Sequence, residues 1–283
     1  MNQERNSLSH LTAHLQFLID FGVPIWQMRP GGPEKMLALE IRDGDRLQTE
    51  FVVVDVAAGR LVGAPYRAPE NWWIGLEDLQ HRQIYLHGFA DRRVGSHRGL
   101  TAIDIDTGQI RWQQEQGVYF GLVAPQQLIV RSDPGQGNEY TLLDSQTGQI
   151  VETGISPDRA HTKVAAYAAQ RAGATHYPVH HPESSAHFAL LGQFISSQTG
   201  QLPAGAIDYL ETGTFFVVAY YLPTPGGKLK HTLAVYATQD GALLLQVELA
   251  AAGAGVVTGS FFMMQETLIF VQEQHTLLGY RFK

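Results

Sequence analysis

The sequence contains no cysteine. That excludes disulfides, thiolate metal sites and thiol redox chemistry, and leaves stability to packing and hydrogen bonding. No run approaches the ~20 apolar residues of a membrane-spanning helix. Met1 to Arg5 lacks the basic segment and uninterrupted apolar stretch of a secretory leader, so a cytoplasmic protein is expected. A basic surplus is missing as well: 20 Lys and Arg face 27 Asp and Glu, for a net charge of −7. With no local Lys/Arg cluster, nucleic acid and anionic membranes are not expected partners. Three motifs of common enzyme classes are also absent: Gly-x-x-x-x-Gly-Lys, Gly-x-Ser-x-Gly and His-Glu-x-x-His.

What the chain does have is a repeat. From Leu100 to Ile105 an apolar strand leads into Asp106-Thr107-Gly108, and a second strand runs through Ile110 to Trp112. Asp and Thr side chains accept from nearby turn N–H groups and Gly tolerates positive φ, so the string reads as a β-hairpin. Leu142 to Ile150 is nearly the same string, and Phe194 to Leu202 keeps Thr199-Gly200 with Ser where the first Asp belongs. Val53 to Leu61 and Val235 to Leu243 are looser copies. The turn glycines at 59, 108, 148, 200 and 241 are spaced by 49, 40, 52 and 41 residues. A period of that size marks propeller blades, each burying its faces against its neighbours.

The expected fold is therefore all-β: a single β-propeller of six four-stranded blades, with five or seven as alternatives. The units run over 36–66, 71–116, 118–155, 160–203 and 205–249, with 256–282 joined by 24–29. In this reading the N-terminal strand around Trp26 completes the last blade and closes the ring, leaving no free edge. Residues 7–21 place Leu8, Leu11, Leu15, Leu18 and Ile19 at helical spacing between Ser7 and Gly22. The domain plan is thus a helical segment over 1–22 and a propeller over 23–283.

The Leu100 to Trp112 string resembles the repeat of quinoprotein-like propellers, which include PQQ-dependent dehydrogenases and outer-membrane assembly lipoproteins. The resemblance implies that the tryptophan, here Trp112 and by position Trp26, wedges between neighbouring blades. A wider pattern is similar to an uncharacterised bacterial propeller-like family without assigned function. It comprises Glu40-Ile41-Arg42, the run from Trp72 to Glu77, His87-Gly88 and the Gly99 to Trp112 stretch. PQQ itself is not expected, because the quinoprotein enzymes have eight blades, a leader and commonly a vicinal disulfide, and fold does not carry function.

Four groups of residues are candidates for chemistry. Glu40 and Arg42 share one face of an apolar strand, so they are either an inter-blade ion pair or an anion site beside a carboxylate base. Trp72 and Trp73 point to opposite faces, which leaves one free to act as a ligand platform. The polar stretch from His87 to Gly99 adds His87, Asp91, Arg92, Arg93 and His97, with arginines suited to an anion and the others to acid–base work. The fourth group, His176, His180, His181 and His187, offers imidazoles for a divalent metal, although the spacing follows no established pattern.

The function expected from these features is a non-enzymatic binding scaffold without a cofactor, presenting a propeller rim or channel to a protein or small ligand. The alternative is a metal-dependent hydrolase or lyase at the channel mouth, using Glu40, Arg42, His87, Asp91 and His97.

Overall fold

In the computed structural model the described residues are 11–70, 72–133, 137, 139–173, 175–253 and 259–283. They form five antiparallel sheets and two α-helices, packed as two compact units, Phe21–Thr175 and Met1–Asp20 with His176–Lys283. Among these residues no helix is long and apolar enough to cross a membrane.

The unit Phe21–Thr175 holds three four-stranded sheets in which each strand pairs with the next one in the chain. The first is Ile25–Pro30, Met36–Asp43, Gln48–Asp55 and Arg60–Tyr66. The second is Ile74–Gln80, Gln83–Asp91, Ser96–Asp104 and Ile110–Gln114, and the third is Val118–Ala124, Gln127–Arg131, Tyr140–Asp144 and Ile150–Ile155. The middle strands bury apolar side chains from both faces, as in Leu37, Ala38, Leu39 and Ile41. Last strands such as Arg60–Tyr66 are largely exposed. The core therefore lies between sheets: Phe51 and Val53 meet Leu76, Ile84 and Ile103, while Tyr85, Leu100 and Trp112 meet Leu122, Leu128 and Leu143.

The repeated turn has one construction. Asp104 Oδ1 accepts from the N–H groups of Asp106 and Thr107 at 2.9 Å each, and Asp144 Oδ1 does the same for Gln146 and Thr147. Asp55 repeats the arrangement with Ala57 and Ala58. Each turn closes through a glycine in the left-handed region; at Gly148 (φ 72°) the requirement is double, since a Cβ there would lie 2.7 Å from Trp112 Cδ2. Trp112 Nε1 donates to Ser145 O at 2.9 Å, so this tryptophan does brace its sheet against the next one. Trp26 does not: it is 68% exposed and carries Arg42 over its ring.

The unit Met1–Asp20 with His176–Lys283 contains the sheet Val179–Pro182, Ala204–Glu211, Phe215–Pro223, Leu229–Ala237 and Leu243–Gly253. The strands Phe261–Met264, Thr267–Gln272 and Thr276–Phe282 form another, and Ala13–Asp20 pairs antiparallel with Thr276–Phe282. Val217, Leu233 and Val235 pack against Phe261, Leu268 and Phe270 between them.

The architecture expected from the repeat is present: an all-β, propeller-type chain of consecutive antiparallel meanders. Three local expectations change. The chain's first and last segments do share a sheet, but through Ala13–Asp20; Ile25–Pro30 opens the first sheet instead. The helix expected over 7–21 is a strand across 13–20, whose Phe17 is buried; residues 7–10 lie outside the described residues, as do 256–258 of the last unit.

The third change concerns 160–203, which contributes no sheet of its own. Helix Pro157–Ala172 starts with Ser156 as N-cap, Pro157 at its first turn and Asp158 behind it, an N-terminal signal that was legible. Helix Ala186–Thr199 ends at Gly200, so the Thr199-Gly200 copy of the turn is a helix C-cap. With Ser in place of Asp, no carboxylate holds the next two N–H groups in a hairpin. Helical spacing of Phe188, Leu191 and Ile195 instead places apolar side chains on Ile207, Val218 and Tyr220.

Candidate functional site

The second sheet and its neighbour bring most of the candidates from the first 100 residues together. Glu40, 1% exposed, accepts from Arg42 Nε at 2.6 Å and from Leu76 N at 2.7 Å. Arg42 donates onward to the carbonyls of Trp72 and Ile74 at 3.1 and 2.7 Å. Its guanidinium stacks between the rings of Trp26 and Trp72, 5.4 and 5.0 Å from their centroids. The charges are matched and all three guanidinium nitrogens donate, so the pair binds the first sheet to the second.

Beside it lies a cluster that the chain builds from two irregularities. The pairing of Ile74–Gln80 with Gln83–Asp91 shifts register between Leu76 and Asp78, so Glu77 is the extra residue of a β-bulge. A second shift between Leu86 and Gly88 breaks the pairing of the middle strand at His87. Bulges re-aim side chains, and here three converge. Glu77 Oε1 lies 2.9 Å from His87 Nδ1 and 3.1 Å from His97 Nδ1. The two imidazoles stack with centroids 3.5 Å apart at 12°. Burial pushes the His97 imidazole below the ordinary histidine range, and neighbouring His87 adds to that effect.

Gly75 makes room for His87. A Cβ at Gly75 would stand 2.5 Å from His87 Cε1 and 2.7 Å from Nε2, so only glycine lets the buried ring fit there. Among the described residues, Glu77, His87 and His97 are the one group of three or more His, Asp or Glu whose ligand atoms all lie within 4.8 Å of one another.

Phe89 links this cluster to a cleft. Its ring meets His87 at 4.9 Å, His97 at 5.3 Å and Trp73 at 5.6 Å. The cleft, about 490 Å³, is lined by Trp73, His87, Phe89, Arg92 and Arg98 among others. Glu70 organises its rim. One carboxylate oxygen accepts from the N–H groups of Trp72 and Trp73 at 3.2 Å each, and the other accepts from Arg92 at 2.8 Å. Those backbone bonds first, and Arg92 with them, hold the Glu70 carboxyl below its ordinary value. Arg92 in turn lies over the Trp73 ring at 5.5 Å.

Of the candidates read from sequence, Glu40, Arg42, His87, His97, Trp72, Trp73 and Arg92 belong to this neighbourhood. Asp91 and Arg93 form a local pair at the hairpin end, where the Arg93 N–H lowers the Asp91 pKa, and neither lines the cleft. The four later histidines do not assemble. His180 Nδ1 pairs with Asp208 Oδ1 at 2.7 Å and His181 stacks on His187 at 5.1 Å, but the described residues contain no three-ligand group among them. Sequence reading missed Glu70, Glu77 and Phe89 as site residues, while Arg98 belonged to the His87 to Gly99 stretch whose arginines suit an anion. Glu77 closes the quoted Trp72 to Glu77 run, but alternation alone could not reveal the bulge that turns it toward His87.

Strand order and meander topology define a protein of the β-propeller class, and its best-formed site lies on the second sheet. Residues 32–112, which include both site-bearing strand pairs, match a family model described as a domain of unknown function (DUF4905). All the residues that carried the resemblance to an uncharacterised propeller-like family fall in that stretch. No curated protein matches the chain.

Solved structures similar to it include a eukaryotic initiation factor, at 8% identity and TM-score 0.35, covering 93% of this chain and 55% of that one. Another is BamB from Moraxella catarrhalis, at 10% identity and TM-score 0.30, covering 95% and 83%. A third is the β-propeller domain of the Trilobed protease from Pyrococcus furiosus, at 12% identity and TM-score 0.34, covering 92% and 80%. The chain thus spans little more than half of the first of these. At such scores no ligand or activity transfers.

Proposed function

We propose that the protein is a binding domain whose second sheet recognises a small molecule with a flat apolar body and one acid group. The observation that carries this reading is the cleft in which Trp73 and Phe89 stand beside Arg92 and Arg98. An indole edge and a phenyl ring offer flat apolar surface at small conformational cost. Each guanidinium has five N–H donors. Glu70 engages Arg92, and Asp133 lies 3.2 Å from Arg98 Nε, so both forks are anchored while retaining donors for a carboxylate.

Indole-3-acetate and phenylacetate serve as probes, read by the four tryptophan Nε1–H signals in nuclear magnetic resonance. The Trp73 signal is expected to shift and Trp112 to stay put, and Trp73→Ala should weaken binding at least tenfold. A Trp73 signal unmoved at millimolar probe, or unchanged affinity in Trp73→Ala, would overturn the reading. The alternative, a metal-dependent hydrolase or lyase, is favoured by one observation, the meeting of Glu77 and His97 with His87, which lines the same cleft.

A further inference from the structure

The geometry points to a divalent transition-metal site made by Glu77 Oε1, His87 Nδ1 and His97 Nδ1, independent of what the cleft binds. Two nitrogens and one carboxylate oxygen are a donor set suited to zinc and its first-row neighbours. Donors that share such an ion at about 2.0–2.2 Å each stand roughly 3.0–3.5 Å from one another. The contacts of Glu77 Oε1 with the two nitrogens, 2.9 Å to His87 and a 3.1 Å hydrogen bond to His97 that an ion would replace, are close to that spacing.

The state of His87 is the second, independent observation. The residue is 5% exposed, yet neither ring nitrogen has a hydrogen-bond partner. Its Nδ1 is 2.9 Å from Glu77 Oε1 without the alignment of a hydrogen bond. In a hydrogen bond the N–H points at the oxygen; around a shared ion each lone pair points at the ion, and the oxygen stands off that line. A buried imidazole with both nitrogens unpaired is destabilising, and coordination would relieve it. Gly75 closes the Nε2 side of the ring, so Nδ1 is the nitrogen facing the cluster.

Charge and mobility agree with this assignment. Glu40 is neutralised by Arg42, which leaves the Glu77 carboxylate to meet a divalent ion beside the histidines. Both imidazoles cannot hold one ion in plane while stacked at 3.5 Å, so the rings must fan apart on binding. His97, with 39% of its side chain exposed, has the freedom to turn, while His87 is held by Gly75 and Phe89. Three protein ligands leave a position for water or for an acid group in the cleft, whose wall includes His87.

The test is calorimetric titration of the chelator-treated full chain with zinc chloride, repeated with cobalt chloride to read the visible bands of a nitrogen-ligated ion. One ion per chain is expected. Glu77→Gln and His97→Ala should each weaken binding about tenfold or more and bleach the cobalt bands. The paired change His180→Ala with His181→Ala should leave both readouts intact. His87→Ala removes a buried ring and risks misfolding, so the two partly exposed ligands carry the decision, each variant checked by circular dichroism. No uptake by the folded chain, or loss in the His180/His181 variant with retention in His97→Ala, would overturn the site.

Discussion

Two buried histidines meet the cost of burial in different ways. His87 sits in its strand with unpaired nitrogens beside a carboxylate, whereas His231 is tied into a network. Its Nε2 lies 3.2 Å from Ser260 Oγ, which donates to Asp208 Oδ2 at 2.9 Å, and its ring stacks on Tyr221 at 4.2 Å. Burial drives the His231 pKa down to about 4, against a smaller upward pull from Asp208. His180 Nδ1 lies 2.7 Å from the other oxygen of Asp208. The sign follows from linkage. Above the unfolded value of 6.5 both states leave the ring neutral and its contribution to stability is complete. Between 6.5 and about 4 only the unfolded chain takes the proton, so stability falls as pH drops, by about 1.4 kcal/mol per pH step at the limiting slope. Denaturant titrations from pH 7.5 to 4.5 should show this decline, and His231→Phe, which keeps a ring against Tyr221, should flatten it. An equal decline in the variant would assign the acid sensitivity elsewhere.

At the scale of elements, the helix Pro157–Ala172 is attached by a buried ion pair rather than by a broad apolar face. Arg171 Nη2 and Nη1 donate to Asp78 Oδ1 and Oδ2 at 2.8 and 2.9 Å, and Nη2 also reaches Leu79 O. Tyr119 donates to the same carboxylate at 2.7 Å. Both charged side chains are about 15% exposed. Removing one partner from a buried pair strands the other charge, at about 3–5 kcal/mol. Asp78→Asn should therefore lower the urea midpoint strongly. Arg159→Ala, on the same helix, breaks a half-exposed pair with Glu152 and should stay within about 1 kcal/mol of the parent. Equal effects would mean that Asp78 is well solvated and that the helix docks by other contacts.

At the scale of the whole molecule, the chain's first described strand protects its last. Ala13–Asp20 covers the edge of Thr276–Phe282, reinforced by paired bonds between the backbones of Thr12 and Lys283 at 2.7 and 3.1 Å. Phe17 is buried there with 5% exposure. Deleting residues 1–20 would leave a row of unpaired N–H and C=O groups on a strand containing Leu277 and Leu278, a template for edge-to-edge association. The truncated protein is expected to melt lower and to associate with rising concentration in light scattering. A monodisperse monomer with the parent's melting temperature would show that the edge is protected by other means.

Several features were determined by local chemistry and so were readable from the chain alone. Asp55, Asp104 and Asp144 each carry their own turn, because the carboxylate reaches N–H groups two and three residues on. The recurring Thr-Gly turns announced successive sheets that pack on one another, and the resemblance to quinoprotein-like propellers implied the brace at Trp112. Tertiary structure decided what depends on register and on distant partners. The leucines of 8–18 fall at helical spacing, but pairing with the edge of Thr276–Phe282 made 13–20 a strand that buries Phe17 and leaves Leu15 and Leu18 exposed. The string Gln198-Thr199-Gly200 became a helix end because a core on Ile207 and Tyr220 rewarded helix formation. Glu77, His87 and His97 meet only because two breaks in register turn side chains that simple alternation would have kept apart.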